Sequence, residues 1–567
     1  MLLLNPRNLT RNYPDQRSRD IMEKAIAFFE KKGLTKLKED FNGAVWYADF
    51  LEFAKEEGLF ASMMTPAAQG KEGENAAWDS WRVCGFAEIL GFYGLCYWYT
   101  YQVSVLGIGP IWMSSNEKAK AKAKRLLDEG NIFAFGLSEK EHGADIYSSD
   151  MIVTKLADGT YSATGGKYYI GNANKAAMVS TFGKMADTGA YIFFVADSQH
   201  PKYQLIKNTV YSQNYVAEYR LQDYPFTEDD VLHHGDEAWN AALNTVNVGK
   251  YNLGWASIGI CTHAFYEAID HAANRHLYGK TVTDFPHVKQ LFTDAYVRLV
   301  SMKLFALRAA DYMKSASSED RRYLLFNPMV KMKVTTQGEE VVNLLWDVIA
   351  AKGFEKEPYF AMAAQDIRCL PKLEGTVHVN MALIIKFMPN YFFFPTEYAP
   401  VPRRDDGSDD AFLFNQGPTK GLGKIKFHDY RIAYDSYDLP NLSVFKEQIK
   451  LFREMMMKAP PSAEQAKDID FLLTAGEMFT LVVYGQLILE NAKIYDVEAE
   501  VIDQIFDVMV RDFSKFALQL YAKPSSNAAQ MEQCMKMIKK SVVDDARYTS
   551  VWESHVLKMK DQYSMPK

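Results

Sequence analysis

With 567 residues, the chain is too long for a single hydrophobic core, and about 150 residues per domain gives three or four structural units. Its hydrophobic share of 48% and charged share of 24% are close to the globular average, which excludes a disordered or collagen-like chain. The net charge of −7 leaves the chain as a whole without the basic surface that nucleic-acid binding requires.

Cysteine usage and the N-terminal residues favour a reducing, cytoplasmic setting. The five cysteines are far apart and form no CxxC pair, so neither a disulfide framework nor a zinc site is expected, and no metal is predicted. The opening "MLLLNPRNLTRNYPD" has only a short apolar run and no leading cationic region, unlike a secretory signal.

The first 245 residues change from a helical to a β-rich pattern. Residues 16 to 128 have helical composition, and "AKAKAKRLLDEG" (119–130) ends at a glycine, a common helix C-terminus. Apolar and β-branched runs then flank Asp158-Gly159, a strong hairpin signal, and "AAMVSTFGK" and "AYIFFVAD" follow as further strands. The sequence therefore predicts a β-rich insert between helical parts.

Helices return after the β-rich insert. In "FPHVKQLFTDAYVRLVSMKLFALRAADYM" the apolar residues form a wide helical stripe behind Pro286, which suits a first helical turn. A second helix is expected at about 329 to 351, and a loop-like stretch at 395 to 428 precedes about 130 helical residues. Residues 471 to 489 approach the length of a membrane span, but Glu477 interrupts them, so a core helix is expected and membrane contact is not favoured.

The predicted organisation is thus mostly α with a central β-domain. The expected domains are an N-terminal helical domain (1–130), a middle β-domain (131–245), a helical bundle (246–395), a linker (396–430) and an extra helical domain (431–567).

Four short motifs stand out, although each has an ordinary structural explanation when taken alone. "FGLSEKEHGAD" (135–145) is a strand end that turns polar, and "GGKYYIGNAN" (165–174) is an aromatic strand in which Tyr168 and Tyr169 are expected to point to opposite faces. "NRHLYGKTVTDFP" (274–286) places Arg275 in a loop, where a guanidinium suits either a diphosphate or a surface salt bridge.

The fourth motif, "AAKGFEKEPYFAMAAQDIRCLPKLEGTVHV" (350–379), contains a single acid, Glu374, directly before a Gly-Thr step. Its neighbours are apolar. An acid at a helix edge can also serve as a cap or pair with Lys372 or Arg368.

In this order and spacing the four motifs resemble those of the acyl-CoA dehydrogenase family, over about residues 20 to 395. The resemblance implies the acyl-CoA dehydrogenase fold: an N-terminal helical domain, a middle β-domain and a C-terminal four-helix bundle. The stretch beginning "LILENAKIYDVEAEVIDQIF" is similar to the extra helical domain of very-long-chain members.

The resemblance also implies an FAD cofactor drawn on by two subunits, and therefore a homo-oligomer, most simply a dimer. By position, Phe135, Leu137 and Ser138 would line the isoalloxazine ring, with Tyr169, Ile170 and Gly171 against the flavin. Arg275 and Tyr278 would reach the FAD of the partner subunit, and Thr376 and His378 would lie near its ADP portion. Ala351 completes the implied cofactor contacts.

Glu374 would be the base that removes the α-proton of an acyl-CoA thioester, since the alternative family position is Gly249, which cannot act as a base. The apolar neighbours are expected to exclude water and to raise the carboxyl pKa. Gly375 lets the backbone approach the substrate. The implied substrate contacts are Ala144, Lys250, Leu373 and Gly375.

Several positions depart from the family pattern. Gly171 stands where the family has a Ser or Thr whose hydroxyl donates near flavin N5, and Ala350-Ala351 stand where it has Gly-Gly. Ala144 replaces the usual Ser or Thr, and Lys250 replaces an Arg.

The function implied is oxidation of a long or bulky acyl-CoA to its trans-2-enoyl-CoA in fatty-acid β-oxidation, with electrons passed to an electron-transferring flavoprotein. Three alternatives remain open: an acyl-CoA oxidase, an acyl-carrier-protein thioester dehydrogenase, and a non-redox flavoprotein binding module.

Overall fold

The computed structural model describes residues 2–70, 78–407 and 410–567. The chain divides into two compact units. The β-rich unit comprises Asn12–Ala256, Asp405–Lys420 and Met565–Lys567, and the helical unit comprises Met1–Arg11, Ser257–Arg404 and Gly421–Ser564. The predicted fold class, mostly α with a central sheet, is confirmed, while the domain boundaries expected from the sequence stay a prediction.

The β-rich unit begins with six helices and continues into a sheet. Its helices are α1 (Gln16–Asn42), α2 (Ala48–Glu56), α3 (Leu59–Met64), α4 (Ser80–Tyr93), α5 (Leu95–Met113) and α6 (Glu117–Asp128). Its strands are β1 (Phe133–Gly136), β2 (Ile152–Lys155), β3 (Tyr161–Gly171), β4 (Met178–Met185), β5 (Tyr191–Ala196), β6 (Tyr203–Asn208), β7 (Val216–Phe226) and β8 (Val231–His234).

The eight strands form one sheet in the order β6-β7-β3-β2-β4-β5-β8, with β1 parallel to the first half of β4. The hairpin predicted at Asp158-Gly159 joins β2 to β3 in antiparallel register, from Ile152 opposite Thr164 to Lys155 opposite Tyr161. The strands expected in "AAMVSTFGK" and "AYIFFVAD" are β4 and β5, which pair antiparallel.

Helix α5 is buried on all sides, as its mostly apolar composition requires. It packs directly on the backbone of β1: a Cβ atom at Gly107 would lie only 2.4 Å from the backbone nitrogen of Ala134. Glycine at this position therefore sets the closest approach of the helix to the strand.

The division between the two units falls within a long helix, α7 (Gly235–Ala273). Residues of α7 from 257 onward belong to the helical unit. A two-stranded hairpin follows, β9 (His276–Leu277) and β10 (Lys280–Thr281). The remaining helices are α8 (Pro286–Lys314), α9 (Tyr323–Met329), α10 (Thr335–Ile349), α11 (Phe360–Asp366), α12 (Val377–Ile384), α13 (Met388–Phe393), α14 (Arg431–Tyr434), α15 (Pro440–Lys458), α16 (Ile469–Ile494), α17 (Ala499–Tyr521), α18 (Ala528–Met537) and α19 (Asp545–Val551).

Helix α16 contains the apolar stretch considered as a membrane span. Within the described residues it is the one helix that meets the length and hydropathy of a span, and 83% of its most apolar window is buried inside the protein. Burial raises the pKa of its Glu477, an effect that Lys333 opposes. The expected core helix is what the structure contains.

A buried polar cluster holds α16 against α8. The Glu490 carboxylate on α16 accepts hydrogen bonds from Arg308 (2.8 Å), Tyr312 (2.9 Å) and the Nε2 of His428 (2.9 Å). Burial opposes the charge on Glu490, but the hydrogen bond from His428 and the Arg308 guanidinium hold the pKa of that carboxyl well below its usual range. The C-terminal helices are thus fixed to the bundle helices of the same unit by charge as well as by packing.

Helix α10 ends at a strained alanine. The N–H of Ala350 donates to the carbonyl of Trp346, and Ala350 itself takes φ 54° and ψ −133°. A Cβ atom is disfavoured in this region of backbone space, which glycine enters freely. The turn therefore has a glycine conformation without a glycine.

We expect Ala350→Gly to stabilise the protein, by about 1 kcal/mol, because relief of the strain outweighs the larger unfolded-state entropy of glycine. Thermal or urea unfolding measures the change. Ala351→Gly, one residue further on, is the matched control and should be neutral or destabilising. A fall in stability for Ala350→Gly would contradict the strained conformation.

Candidate functional site

The loop that follows β1 is held in place by main-chain and ionic contacts within the β-rich unit. The N–H of Tyr168 on β3 donates to the carbonyl of Ser138 (3.0 Å), and the Lys167 ammonium donates to the carbonyl of Leu137 (3.1 Å). Leu137, Ser138 and Phe135 are all half-buried. These contacts fix the backbone of the first motif beside the second.

Glu139 and Lys167 form a buried ion pair at 2.6 Å, with both side chains at most 6% exposed. Burial opposes the charge of Glu139, yet the Lys167 ammonium keeps the pKa of that carboxyl below its usual value. Burial also lowers the pKa of Lys167 to about 8, although Glu139 partly offsets this effect.

His142 and Asp150 lie close enough to Glu139 to suggest a metal-ligand group. The Glu139 oxygens, however, already accept from Lys167, the Ser149 hydroxyl (2.6 Å) and the Asp150 N–H (2.6 Å). The group therefore acts as an anchor for the loop.

The expectation that Tyr168 and Tyr169 point to opposite faces of a regular strand is wrong. The register of β3 against β7 shifts between Lys167 and Ile170, so the two tyrosines form a β-bulge. Tyr169 takes φ 62°, and the two rings meet edge to face with centroids 4.5 Å apart. The bulge leaves Tyr169 as a strained aromatic side chain that is 61% exposed.

Backbone strain is concentrated in the motifs. Nine non-glycine residues of the described chain have positive φ, and four of these are Asn or Asp, which tolerate it. The other five are Ala44, Tyr169, Tyr278, Ala350 and Glu374. All but Ala44 lie in the four motifs. Such outliers cluster at functional sites, where the surrounding structure maintains them.

Asn172, the last residue of the "YYIGN" run, ties β3 to α5 and β1. Its buried amide donates to the Thr100 carbonyl (2.9 Å), the Ser104 hydroxyl (3.1 Å) and the Phe133 carbonyl (3.1 Å), and its oxygen accepts from the Thr100 hydroxyl (3.0 Å). With φ 62°, Asn172 also turns the chain at the strand end. The sequence showed Asn172 inside a motif but gave no sign of this structural role.

In the helical unit, Glu374 has φ 51° and is half-buried. The buried Lys331 ammonium donates to the carbonyls of Pro371 (2.6 Å) and Gly375 (2.5 Å), on either side of the acid. Asn380 adds a bond to the Gly375 carbonyl (3.1 Å), and Gly375 has φ 86°. The backbone around Glu374 is therefore fixed by hydrogen bonds from Lys331 and Asn380.

The two cations considered as partners of Glu374, and the N-cap position of α12, are engaged elsewhere. Lys372 pairs with Glu339 (2.5 Å), and Arg368 donates to the amide oxygen of Asn343 (2.9 Å). The N-cap of α12 is Thr376, whose hydroxyl accepts from the N–H of Val379. The role of Glu374 as a base stays a prediction. Capping of α12 and pairing with Lys372 or Arg368 do not explain why an acid is present at this position.

Arg275 and Tyr278 lie on the β9–β10 hairpin. Tyr278 and Gly279 form its turn with φ of 52° and 74°, and the Tyr278 side chain is 95% exposed. Arg275 is also exposed. A strained tyrosine almost fully in solvent has no role in the core of this unit.

The other predicted site residues fall into three groups, and their roles stay predictions. Ala144, Ala351, Thr376 and His378 are exposed, Leu373 is half-buried, and Ile170, Gly171 and Lys250 are buried. Sequence reasoning missed Lys331, whose only signal was a charge within an apolar helical stretch.

Comparison with known proteins agrees with this arrangement. Residues 236–388 match the family model described as acyl-CoA dehydrogenase, C-terminal domain. The chain is 22% identical over 281 residues to a short-chain-specific acyl-CoA dehydrogenase of Megasphaera elsdenii, covering 48% of this chain and 72% of that protein. It is 21% identical over 383 residues to the caffeyl-CoA reductase-Etf complex subunit CarC of Acetobacterium woodii, covering 66% of this chain and 98% of CarC.

The fold match extends beyond these regions. The crystal structure of an acyl-CoA dehydrogenase complexed with FAD from Bacillus anthracis superimposes with a TM-score of 0.74 at 14% identity, covering 98% of this chain and 97% of that one. The match includes the helices after residue 430. The chain therefore has the acyl-CoA dehydrogenase fold, in the form with an extra C-terminal helical region, and its residues 236–388 match the C-terminal domain of that family.

Proposed function

We propose that the protein is an FAD-dependent dehydrogenase that converts a saturated acyl-CoA thioester to the trans-2-enoyl-CoA. The observation that carries this proposal is the state of Glu374. A carboxylate is held in a costly backbone conformation, φ 51°, by a buried lysine that binds the carbonyls around it. Strain maintained in this way is typical of a group positioned for chemistry.

The residues present suit FAD. The first two motifs offer half-buried apolar and hydroxyl groups at Phe135, Leu137 and Ser138, and an exposed, strained aromatic ring at Tyr169. Such a mixture suits a planar, partly polar ring system. Arg275 is an exposed guanidinium, which pairs bidentately with a diphosphate. Phe135, Leu137, Ser138 and Tyr169 would hold the flavin ring, and Arg275 would pair with the diphosphate of the FAD bound to the partner subunit. FAD, when bound, supplies the acceptor for two electrons and the β-hydrogen.

The work of the protein in this reaction is to move one proton and to position the thioester. Glu374 would remove the proton from the α-carbon, and its own N–H would bind the thioester oxygen, where negative charge develops as the proton leaves. Gly375 has no side chain to obstruct the acyl group. Leu373 would help to keep water from the carboxylate while substrate is bound.

The finer assignments are also proposals. A long or bulky acyl chain is suggested by the additional C-terminal helices, and a homodimer by the exposed Arg275–Tyr278 hairpin, which offers contacts to a second subunit. An electron-transferring flavoprotein as acceptor is supported by the relative named as a subunit of an Etf complex.

We expect the purified protein to be yellow, and its flavin to lose visible absorbance when mixed anaerobically with saturated acyl-CoAs of increasing chain length. The chain length that reacts fastest identifies the substrate class. Formation of hydrogen peroxide in air at the rate of turnover would assign the protein as an oxidase instead. Retention of the absorbance with every acyl-CoA would contradict the proposed function.

Glu374→Gln should retain FAD and lose reduction by acyl-CoA by about 10²- to 10⁴-fold, because the amide cannot accept the α-proton. Single-turnover stopped-flow measurement gives the rate. Glu339→Gln is the matched control, since Glu339 is a nearby acid that pairs with Lys372. Equal rates for Glu374→Gln and the wild type would remove Glu374 from the mechanism.

A further inference from the structure

Gly171 lies at the end of β3, and its side-chain position is already filled. A Cβ atom there would lie 2.8 Å from both Cε1 and the hydroxyl oxygen of Tyr99, and 2.8 Å from Cγ1 of Val103. Both residues belong to α5, and Tyr99 is only 6% exposed. The edge of a phenol ring therefore occupies the space into which a side chain at residue 171 would point.

Asn172, the residue after Gly171, fixes the register of helix α5 against strand β3. Thr100 and Ser104, one position after Tyr99 and Val103, hold the amide of Asn172, one position after Gly171. Gly171, the last residue of β3, and Asn172 directly after it thus contact two successive i, i+4 pairs on α5. The Tyr99 backbone is therefore held beside Gly171 by these contacts, and the ring itself is buried.

We propose that Tyr99 supplies, from α5, the hydroxyl that is missing at residue 171, and that this hydroxyl hydrogen-bonds the flavin in the FAD site. The inference rests on the proposed function. A phenol carries one donor and accepts as well, so it can replace the hydroxyl of a Ser or Thr. The two residues depend on each other. The bulk of Tyr99 requires glycine at position 171, and because that glycine has no hydroxyl, Tyr99 provides the hydrogen bond.

Tyr99 and Gly171 lie close in the structure to the residues that are proposed to contact the flavin. Residue 171 lies two positions after Tyr169, the strained and exposed aromatic of the bulge. The loop of Leu137 and Ser138 is bonded to the same segment through Tyr168 and Lys167. Tyr99 thus places a hydroxyl beside the part of β3 to which the proposed cofactor residues belong.

The test compares Tyr99→Phe with Tyr101→Phe in the full-length holoprotein. Tyr101 is on the same helix, fully buried, and its ring packs on Phe60 and Phe86. FAD release, followed by flavin fluorescence, should show an affinity about 3- to 10-fold weaker for Tyr99→Phe, as expected for one lost hydrogen bond. The visible absorption band of bound flavin should also shift in Tyr99→Phe and remain unchanged in Tyr101→Phe.

A reciprocal swap tests the packing independently of catalysis. Gly171→Ser alone should lower the unfolding temperature, because its Cβ meets Tyr99 and Val103. Gly171→Ser combined with Tyr99→Ala should bind FAD more tightly than Tyr99→Ala alone, since the serine hydroxyl then replaces the lost phenol.

Unchanged affinity and absorption in Tyr99→Phe would overturn the inference and leave the proposed dehydrogenation intact. So would equal changes in Tyr99→Phe and Tyr101→Phe, or a double variant that binds FAD no more tightly than Tyr99→Ala alone. A wild-type chain that took up no FAD would overturn the inference and the proposed function together.

Discussion

The amide of Asn172 is the constraint on which the β-rich unit depends. It is fully buried, and its hydrogen bonds join three elements that are far apart in sequence: α5 through Thr100 and Ser104, β1 through Phe133, and the end of β3. A buried amide that lost these partners would carry a desolvation cost of about 1 to 3 kcal/mol per group. These bonds fix α5, β1 and the end of β3 to one another.

The two units use strain and burial to the same end. In one, a β-bulge keeps an aromatic residue, Tyr169, at positive φ and largely exposed. In the other, the buried Lys331 binds the carbonyls around Glu374 and keeps a carboxylate at positive φ. A core built for stability alone would not retain these conformations, which cost about 1 to 3 kcal/mol each. Both strained residues lie in the four motifs, which is where the cofactor and the substrate are proposed to bind.

The fold class, the hairpin at Asp158-Gly159 and the core character of α16 followed from the sequence, because periodicity and turn chemistry are local signals. For the candidate site, the sequence indicated only a set of motifs and not their arrangement. The bulge at Tyr168 and Tyr169 was missed because a strand pattern does not reveal a register shift against β7. The pairing of Tyr99 with Gly171 was missed because 72 residues separate them, and only the packed structure brings them together.

The central claim is that Glu374 moves the α-proton, and solvent exchange tests it most directly. An acyl-CoA with sulfur in place of its β-methylene has no β-hydrogen to transfer, so only the proton step remains. In heavy water, the wild type should introduce deuterium at the α-carbon, observed by mass spectrometry, and Glu374→Gln should not. Exchange that persists at the wild-type rate in Glu374→Gln, or is absent from a wild type that binds FAD and the analogue, would contradict the account.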